Sequence, residues 1–102
     1  MTMTDLDELE RRIRATVRAI RRYCARNDFA IAADGAICEE AAAKVLGYTT
    51  GAGLGSAIRN GTIDLPYRLL GNARKYRVVD LATHIERSYR GGENRENSCI
   101  AF

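Results

Sequence analysis

The order of apolar runs and turn signals between Ile37 and Tyr89 constrains this chain more than any other feature. From Glu39 to Leu46, residues Ala41, Ala42, Val45 and Leu46 line one helical face together with Ile37, and Gly47 suits the position just past a helix end. Tyr48 to Gly53 reads as a turn, and Leu54 to Asn60 as a short helix closed by Gly61. Ile63 to Leu70 alternates enough for a strand, and Pro66 assigns that strand to a sheet edge. Gly71-Asn72 turns the chain, and Arg74 to Val79 returns as the partner strand. Asp80 to about Arg90 is the last predicted helix, with Val78, Leu81, Ala82, Ile85 and Tyr89 on one face. The predicted order is therefore helix, turn, helix, basic hairpin, helix. The link from Arg77 to Asp80 is short, so the second strand should run almost directly into the last helix.

Small residues shape the first helix pair. The alanine face of Glu39 to Leu46 lets a second helix cross it closely. That second segment contains or adjoins Gly51, Gly53 and Gly55, and glycine costs roughly 1 kcal/mol per helical position relative to alanine. Such a helix is marginal alone and is expected to be ordered by packing or by a ligand.

Ahead of this region, Asp5 to Arg26 has the period of an amphipathic helix, with Leu6, Leu9, Ile13, Val17, Ile20 and Cys24 spaced three or four apart. Thr4 is placed to cap it, and Asp5, Asp7, Glu8 and Glu10 fill the first turns, as the helix dipole favours. Arg11, Arg14, Arg18 and Arg22 form a stripe beside the apolar face. That stripe fits a solvated face, a phosphate-contacting arm or a dimerising helix. Leu6, Ile13 and Ile20 repeat at seven, the spacing of a short coiled-coil seam, although Thr16 and Tyr23 interrupt it. From Asn27 to Cys38 the pattern changes. Phe29 and Ile31 alternate with small residues and Asp34-Gly35 signals a turn, consistent with a short hairpin or with a strand entering the next helix. The expected organisation is residues 1–27 as an Arg-rich helix, 28–90 as the main domain, and 91–102 as a disordered tail rich in Gly, Asn, Glu and Arg.

A chain of 102 residues can bury a modest core without disulfides or metals. Three cysteines without CxxC spacing, and a single His84, give no usual zinc set. Acidic residues stand where a secretory leader would be basic and then apolar, so a cytoplasmic location and no membrane association are expected. No cofactor, metal or catalytic activity is expected, since no Ser-His-Asp or Cys-His ordering is visible. Gly51-Ala-Gly53-Leu-Gly55 lacks the preceding strand and the GK[ST] ending of a phosphate loop. Cys99-Ile100-Ala101-Phe102 has the form of a prenylation box but lacks a polybasic companion.

The net charge is +3, and its distribution is uneven. Between Arg59 and Arg77 lie Arg59, Arg68, Arg74, Lys75 and Arg77, against Asp64 as the one acid. Arginine dominates the basic residues, because lysine occurs only at Lys44 and Lys75. Arginine is the side chain best shaped for bidentate contact with phosphate and guanine.

The ordered set Ala41-Ala42-Ala43-Lys44-Val45-Leu46-Gly47, Ala57-Ile58-Arg59-Asn60-Gly61, Leu65-Pro66, Arg74-Lys75-Tyr76-Arg77, Asp80-Leu81 and Ile85 resembles the excisionase-type, MerR-like winged helix-turn-helix domain. Gly61 to Arg68 is also similar to the corresponding part of pyocin-activator-type phage regulators. The resemblance spans roughly half the chain. It implies a mainly α fold with a small β-hairpin, a winged helix-turn-helix preceded by the long amphipathic N-terminal helix. It also implies binding of double-stranded DNA by a transcription regulator or recombination directionality factor of a phage or mobile element. By position, Thr49, Thr50, Ser56, Arg59 and Asn60 would lie on or before the recognition helix. Arg68, Arg74, Lys75 and Arg77 would form the wing, with the charges at or just after its turn facing phosphates. Expected partners are DNA, a second copy as a homodimer or a head-to-tail oligomer on DNA, and a recombinase or RNA polymerase. The alternative is a protein-interaction module, a phage- or plasmid-encoded antagonist acting through the Arg-rich N-terminal helix.

Overall fold

A computed structural model describes residues 3–89; the expected tail and the Cys99–Phe102 box lie outside them. The chain is mainly helical with a small antiparallel sheet. In chain order the elements are α1 (Met3–Arg26), β1 (Ala36–Cys38), α2 (Glu39–Leu46), α3 (Gly51–Arg59), β2 (Arg68–Leu70), β3 (Ala73–Arg77) and α4 (Val78–Ser88).

The long N-terminal helix forms as its period predicts, but Thr4 lies inside it rather than capping it. Ile20 and Cys24 are fully engaged in the core, and Ile13 and Val17 pack beside them against α4. A hydrogen bond from Thr16 Oγ1 to Glu86 (2.7 Å) and an ion pair between Arg12 and Glu86 (3.4 Å) join the polar edges of α1 and α4. The heptad positions Ile13 and Ile20 are thus occupied within the chain, while Leu6 stays exposed. Burial lifts the Cys24 thiol above its ordinary range, which suits a packing role.

α1 ends where the break at Asn27-Asp28 was expected, with Asp28 at φ 60, and the core continues across it through Phe29 and Ile31. Of the two readings of Asn27 to Cys38, the strand leading into a helix is the one realised. Asp34-Gly35 turns the chain, Asp34 Oδ1 accepts from the Ala36 N–H (3.2 Å), and β1 leads directly into α2. α2 has the predicted limits. Gly47 at φ 97 donates to Lys44, and Tyr48 donates to Ala43 (2.8 Å), the pair of bonds that closes a helix at a left-handed residue.

α3 begins earlier than predicted. The segment from Gly51 to Gly53 is helical, because Thr50 caps the helix by accepting from the Gly53 N–H (3.1 Å). The glycines are accounted for by packing. A Cβ on Gly51 would lie 3.4 Å from backbone atoms of Glu40, so α3 starts directly against the first turn of α2. Leu54, Gly55 and Ala57 are buried, facing the alanines of α2. Gly53 differs, since a Cβ there would meet Thr50 Oγ1 at 3.6 Å and Tyr48 at 3.7 Å, ordinary contact distances. Gly53→Ala is therefore expected to stabilise the fold by about 0.5–1 kcal/mol, and Gly51→Ala to bring no gain. Urea midpoints of the two variants test this, and a Gly53→Ala midpoint below wild type would contradict it.

The hairpin is shorter than the sequence pattern suggests. Residues 63–67 are not paired. Leu65 is buried, Ile63 packs on the core, and Pro66 has no N–H to give a ladder, so β2 starts only at Arg68. The strand order is β1-β3-β2, with both pairs antiparallel. β3 is thus the central strand, paired on its second side with β1, a neighbour the sequence pattern did not specify. Gly71, at φ 64, takes the first central position of the two-residue turn. β3 ends at Arg77 and α4 begins at once, so Val78 is the first residue of that helix rather than part of the strand. Val78, Leu81 and Ala82 are buried, whereas Tyr89 lies beyond the helix and is exposed, off the predicted apolar face.

Candidate functional site

The residues predicted to act together lie on three surfaces. The first is the outer side of α3. Thr49 and Thr50 precede it, Ser56 and Arg59 are exposed along it, and Asn60 ends it, also exposed. Thr50 uses its hydroxyl as the cap, and Arg59 Nη2 donates to Ser56 Oγ (3.4 Å), so the Arg59 side chain lies back along its own helix. These five positions form a polar rim whose opposite side, Leu54 and Ala57, is core.

Alternation along β3 divides the hairpin charges between the two faces of the sheet. Arg74 shares a face with Tyr76, which is buried, and points toward α2 and α3. Its Nη1 lies 3.4 Å from Glu39 Oε2, and its guanidinium stacks over Tyr67 at 5.2 Å from the ring centre. The Tyr76 hydroxyl donates to the same Glu39 oxygen (2.7 Å). Burial, and then this bond to Glu39, push the Tyr76 hydroxyl well above the ordinary tyrosine range, so it stays a donor. Arg74 is thus wedged beneath the hairpin, and its Nε is buried with no hydrogen-bond partner among the described residues.

α3 meets Arg74 at Gly55. A Cβ there would lie 3.4 Å from Arg59 Nη1, 3.5 Å from Arg74 Nη1 and 3.5 Å from Glu39 Oε1. Two guanidinium groups from separate elements therefore converge over one buried glycine, with a single carboxylate between them. Glu39, Tyr67 and Gly55 were not among the site residues expected from the sequence. The signal for Glu39 was its place at the start of α2, but a helix-opening glutamate reads first as a dipole partner.

The opposite face of the sheet carries Arg68, Lys75 and Arg77. Arg68 is opposite Lys75 in the β2–β3 register, and Ala36 and Cys38 of β1 face Arg77 and Lys75. Arg68, Lys75 and Arg77, with Asp34, Tyr67 and Asp80, line a shallow hollow of about 250 Å³. Arg68 is committed to Asp34, Nε to Oδ2 at 2.9 Å, and that hydrogen bond holds the Asp34 carboxyl below the usual range. Lys75 is half-buried and Arg77 exposed. The expected cluster of wing charges around the turn is thus distributed: Arg74 beside α3, Lys75 and Arg77 across the sheet, and Arg68 in an ion pair.

The third surface is α1. Arg11, Arg14, Arg18 and Arg22 are all exposed. None of these four takes part in the ion pairs found among the described residues, where Arg12 is the arginine of α1 engaged with Glu8 and Glu86. Among the described residues no three His, Cys, Asp or Glu side chains gather as a metal site, and no helix is long and apolar enough to cross a membrane. No family model, curated protein or solved structure matches the chain.

Proposed function

We propose that α2 and α3, with the β2–β3 hairpin, act as a winged helix-turn-helix that binds double-stranded DNA. The observation that carries this reading is the meeting of Arg59 and Arg74 over Gly55. It brings α3 against the base of the hairpin, so that a helix of groove-fitting size stands beside a β-ribbon that carries Lys75 and Arg77 on its far face. Arg59 and Asn60 at the end of α3 are the side chains proposed to reach base edges. Thr49, Thr50 and Ser56 offer hydroxyls to the backbone, and Lys75 and Arg77 face phosphate. Because few side chains on α3 are long, backbone contact and DNA shape carry more of the recognition than base readout. The role that fits is a transcription regulator or recombination directionality factor of a mobile element. Binding as a dimer or a head-to-tail array, with a recombinase or RNA polymerase as protein partner, belongs to the same proposal.

A second reading is favoured by the arginine stripe of α1, which is exposed and free of ion pairs among the described residues. Here α1 engages an acidic partner protein and the remainder is scaffold. Deleting α1 cannot separate the readings, because Ile20 and Cys24 belong to the shared core. Charge reversal can. The full chain and an Arg14→Glu/Arg18→Glu variant are titrated onto labelled duplex at several salt concentrations. The DNA reading expects wild-type log K to fall linearly with log salt, by about 0.9 per phosphate neutralised. It also expects the variant to keep most of its affinity. Wild-type binding that is absent or insensitive to salt defeats the reading. Binding that vanishes on reversal moves the interface to α1.

A further inference from the structure

Leu69 and Leu70 are 62% and 59% exposed, at the tip of the hairpin beside the Gly71-Asn72 turn. Single exposed leucines are common on protein surfaces, but adjacent ones on an edge strand are normally avoided, because such edges invite unwanted pairing. Side chains alternate along β2, so the two leucines leave opposite faces of the ribbon, and neither is drawn into the core. The hairpin itself carries charge of one sign, although Arg68 and Arg74 pair with Asp34 and Glu39 outside it, which leaves Lys75 and Arg77 as its cations outside the ion pairs found among the described residues. Arg68, Arg74, Lys75 and Arg77 lie within the same hairpin, and no acid occurs from Leu65 to Val79. An apolar tip on a ribbon with a net positive charge complements a polyanion with an apolar interior. Leu69 is opposite Arg74, whose Nη1 lies 3.5 Å from where a Cβ on Gly55 would stand, so Leu69 shares the sheet face that α3 approaches.

We infer that Leu69, with Leu70 beside it, is an apolar wedge that enters the minor groove of duplex DNA and bends it by partly unstacking one base step. The inference rests on the proposed DNA-binding function. Leucine is among the side chains able to open a step in this way, and the resulting kinks are on the order of 20–90° toward the major groove. Lys75 and Arg77, the hairpin cations outside the ion pairs found among the described residues, hold phosphates beside the step while the leucine enters. Flexible pyrimidine–purine steps resist this least and should be the preferred points of entry.

The test uses the full chain, a Leu69→Ser/Leu70→Ser variant, and a mixed-sequence duplex of about 30 base pairs with a central TA step. The duplex carries dyes at its ends and 2-aminopurine at the step. Both leucines are exposed, so the variant should unfold at the wild-type urea midpoint. Wild type is expected to shorten the end-to-end distance and raise 2-aminopurine emission. The variant is expected to bind within about tenfold of wild type, with the same salt slope, and to lose both signals. Full bending by the variant, or wild-type binding without either signal, overturns the wedge and leaves DNA binding intact. A variant that keeps the bend but loses self-association in sedimentation makes the tip a protein contact and also overturns it. Absence of any duplex binding by wild type defeats the DNA reading and the wedge together.

Discussion

Replacing Arg59, Lys75 and Arg77 together by alanine is expected to lower duplex affinity by about 100-fold at physiological salt and to flatten the salt slope by about 2, one for each of the two phosphate-facing residues Lys75 and Arg77. The three side chains come from both proposed contact elements, and each is at least partly open to solvent. Each phosphate contact removed eliminates the release of about one counterion, worth roughly fivefold in affinity near 0.15 M salt. Folding should be unaffected, because none of the three makes an ion pair within the described chain. Arg74→Ala alone is a different experiment, since it also removes the cation from Glu39 and the stacking on Tyr67. Its loss of affinity should be accompanied by a lower unfolding midpoint, which the triple variant does not show. Arg68→Ala should change binding least, because Arg68 already spends its charge on Asp34. Fluorescence anisotropy across a salt series, with urea unfolding in parallel, separates these cases. Equal effects from Arg68 and Arg59 would sink the proposed surface.

The sequence was most informative where local rules and packing agree. α2 could be placed to the residue because the alanine face, the acidic first turn and Gly47 all specify one helix. α3 was shifted because glycine propensity argues for a turn over residues 48–53. Its helical state depends on the Thr50 cap and on contact with the backbone of Glu40, and the second of these is not local. The strands were overextended for a related reason. Ile63 and Leu65 are apolar because they cover the core from an irregular segment, and alternation alone cannot distinguish that from pairing. For the site, the basic residues were readable as a list but their assignment to faces was not. Side-chain period fixes which hairpin residues share a face, yet only the folded chain, in which Tyr76 is buried and Arg74 meets Glu39, shows which face the helices cover. Glu39 and Tyr67 become visible as partners of Arg74 only after the chain is folded, across separations no sequence spacing encodes.

Tyr76→Ala is expected to cost about 3–5 kcal/mol, the range for removing a buried aromatic ring. A domain of this size has roughly 5–15 kcal/mol in total, so the variant should be close to unfolding at room temperature. The ring is fully buried on the central strand, paired with Ile37 of β1, and its centre lies 6.1 Å from that of Tyr67. Tyr76→Phe keeps the ring and removes only the donor to Glu39. A hydrogen bond to a charged group contributes about 1.5–3 kcal/mol, so this variant should fold with a clearly lower urea midpoint and an unchanged slope. The pH dependence distinguishes the hydroxyl from the ring. The folded hydroxyl is held above the ordinary value of 10.0 at which the unfolded chain ionises. Its contribution is therefore fully present below pH 10.0 and is lost as pH rises beyond it, because the unfolded state then sheds its proton first. Wild type should lose stability more steeply than Tyr76→Phe above that point, and the two curves should run parallel below it. Parallel curves across the whole alkaline range would mean that neither burial nor the Tyr76–Glu39 bond holds the hydroxyl above its ordinary range. The anchor that fixes Glu39 beneath Arg74, and so aims Arg74 at α3, would fall with it.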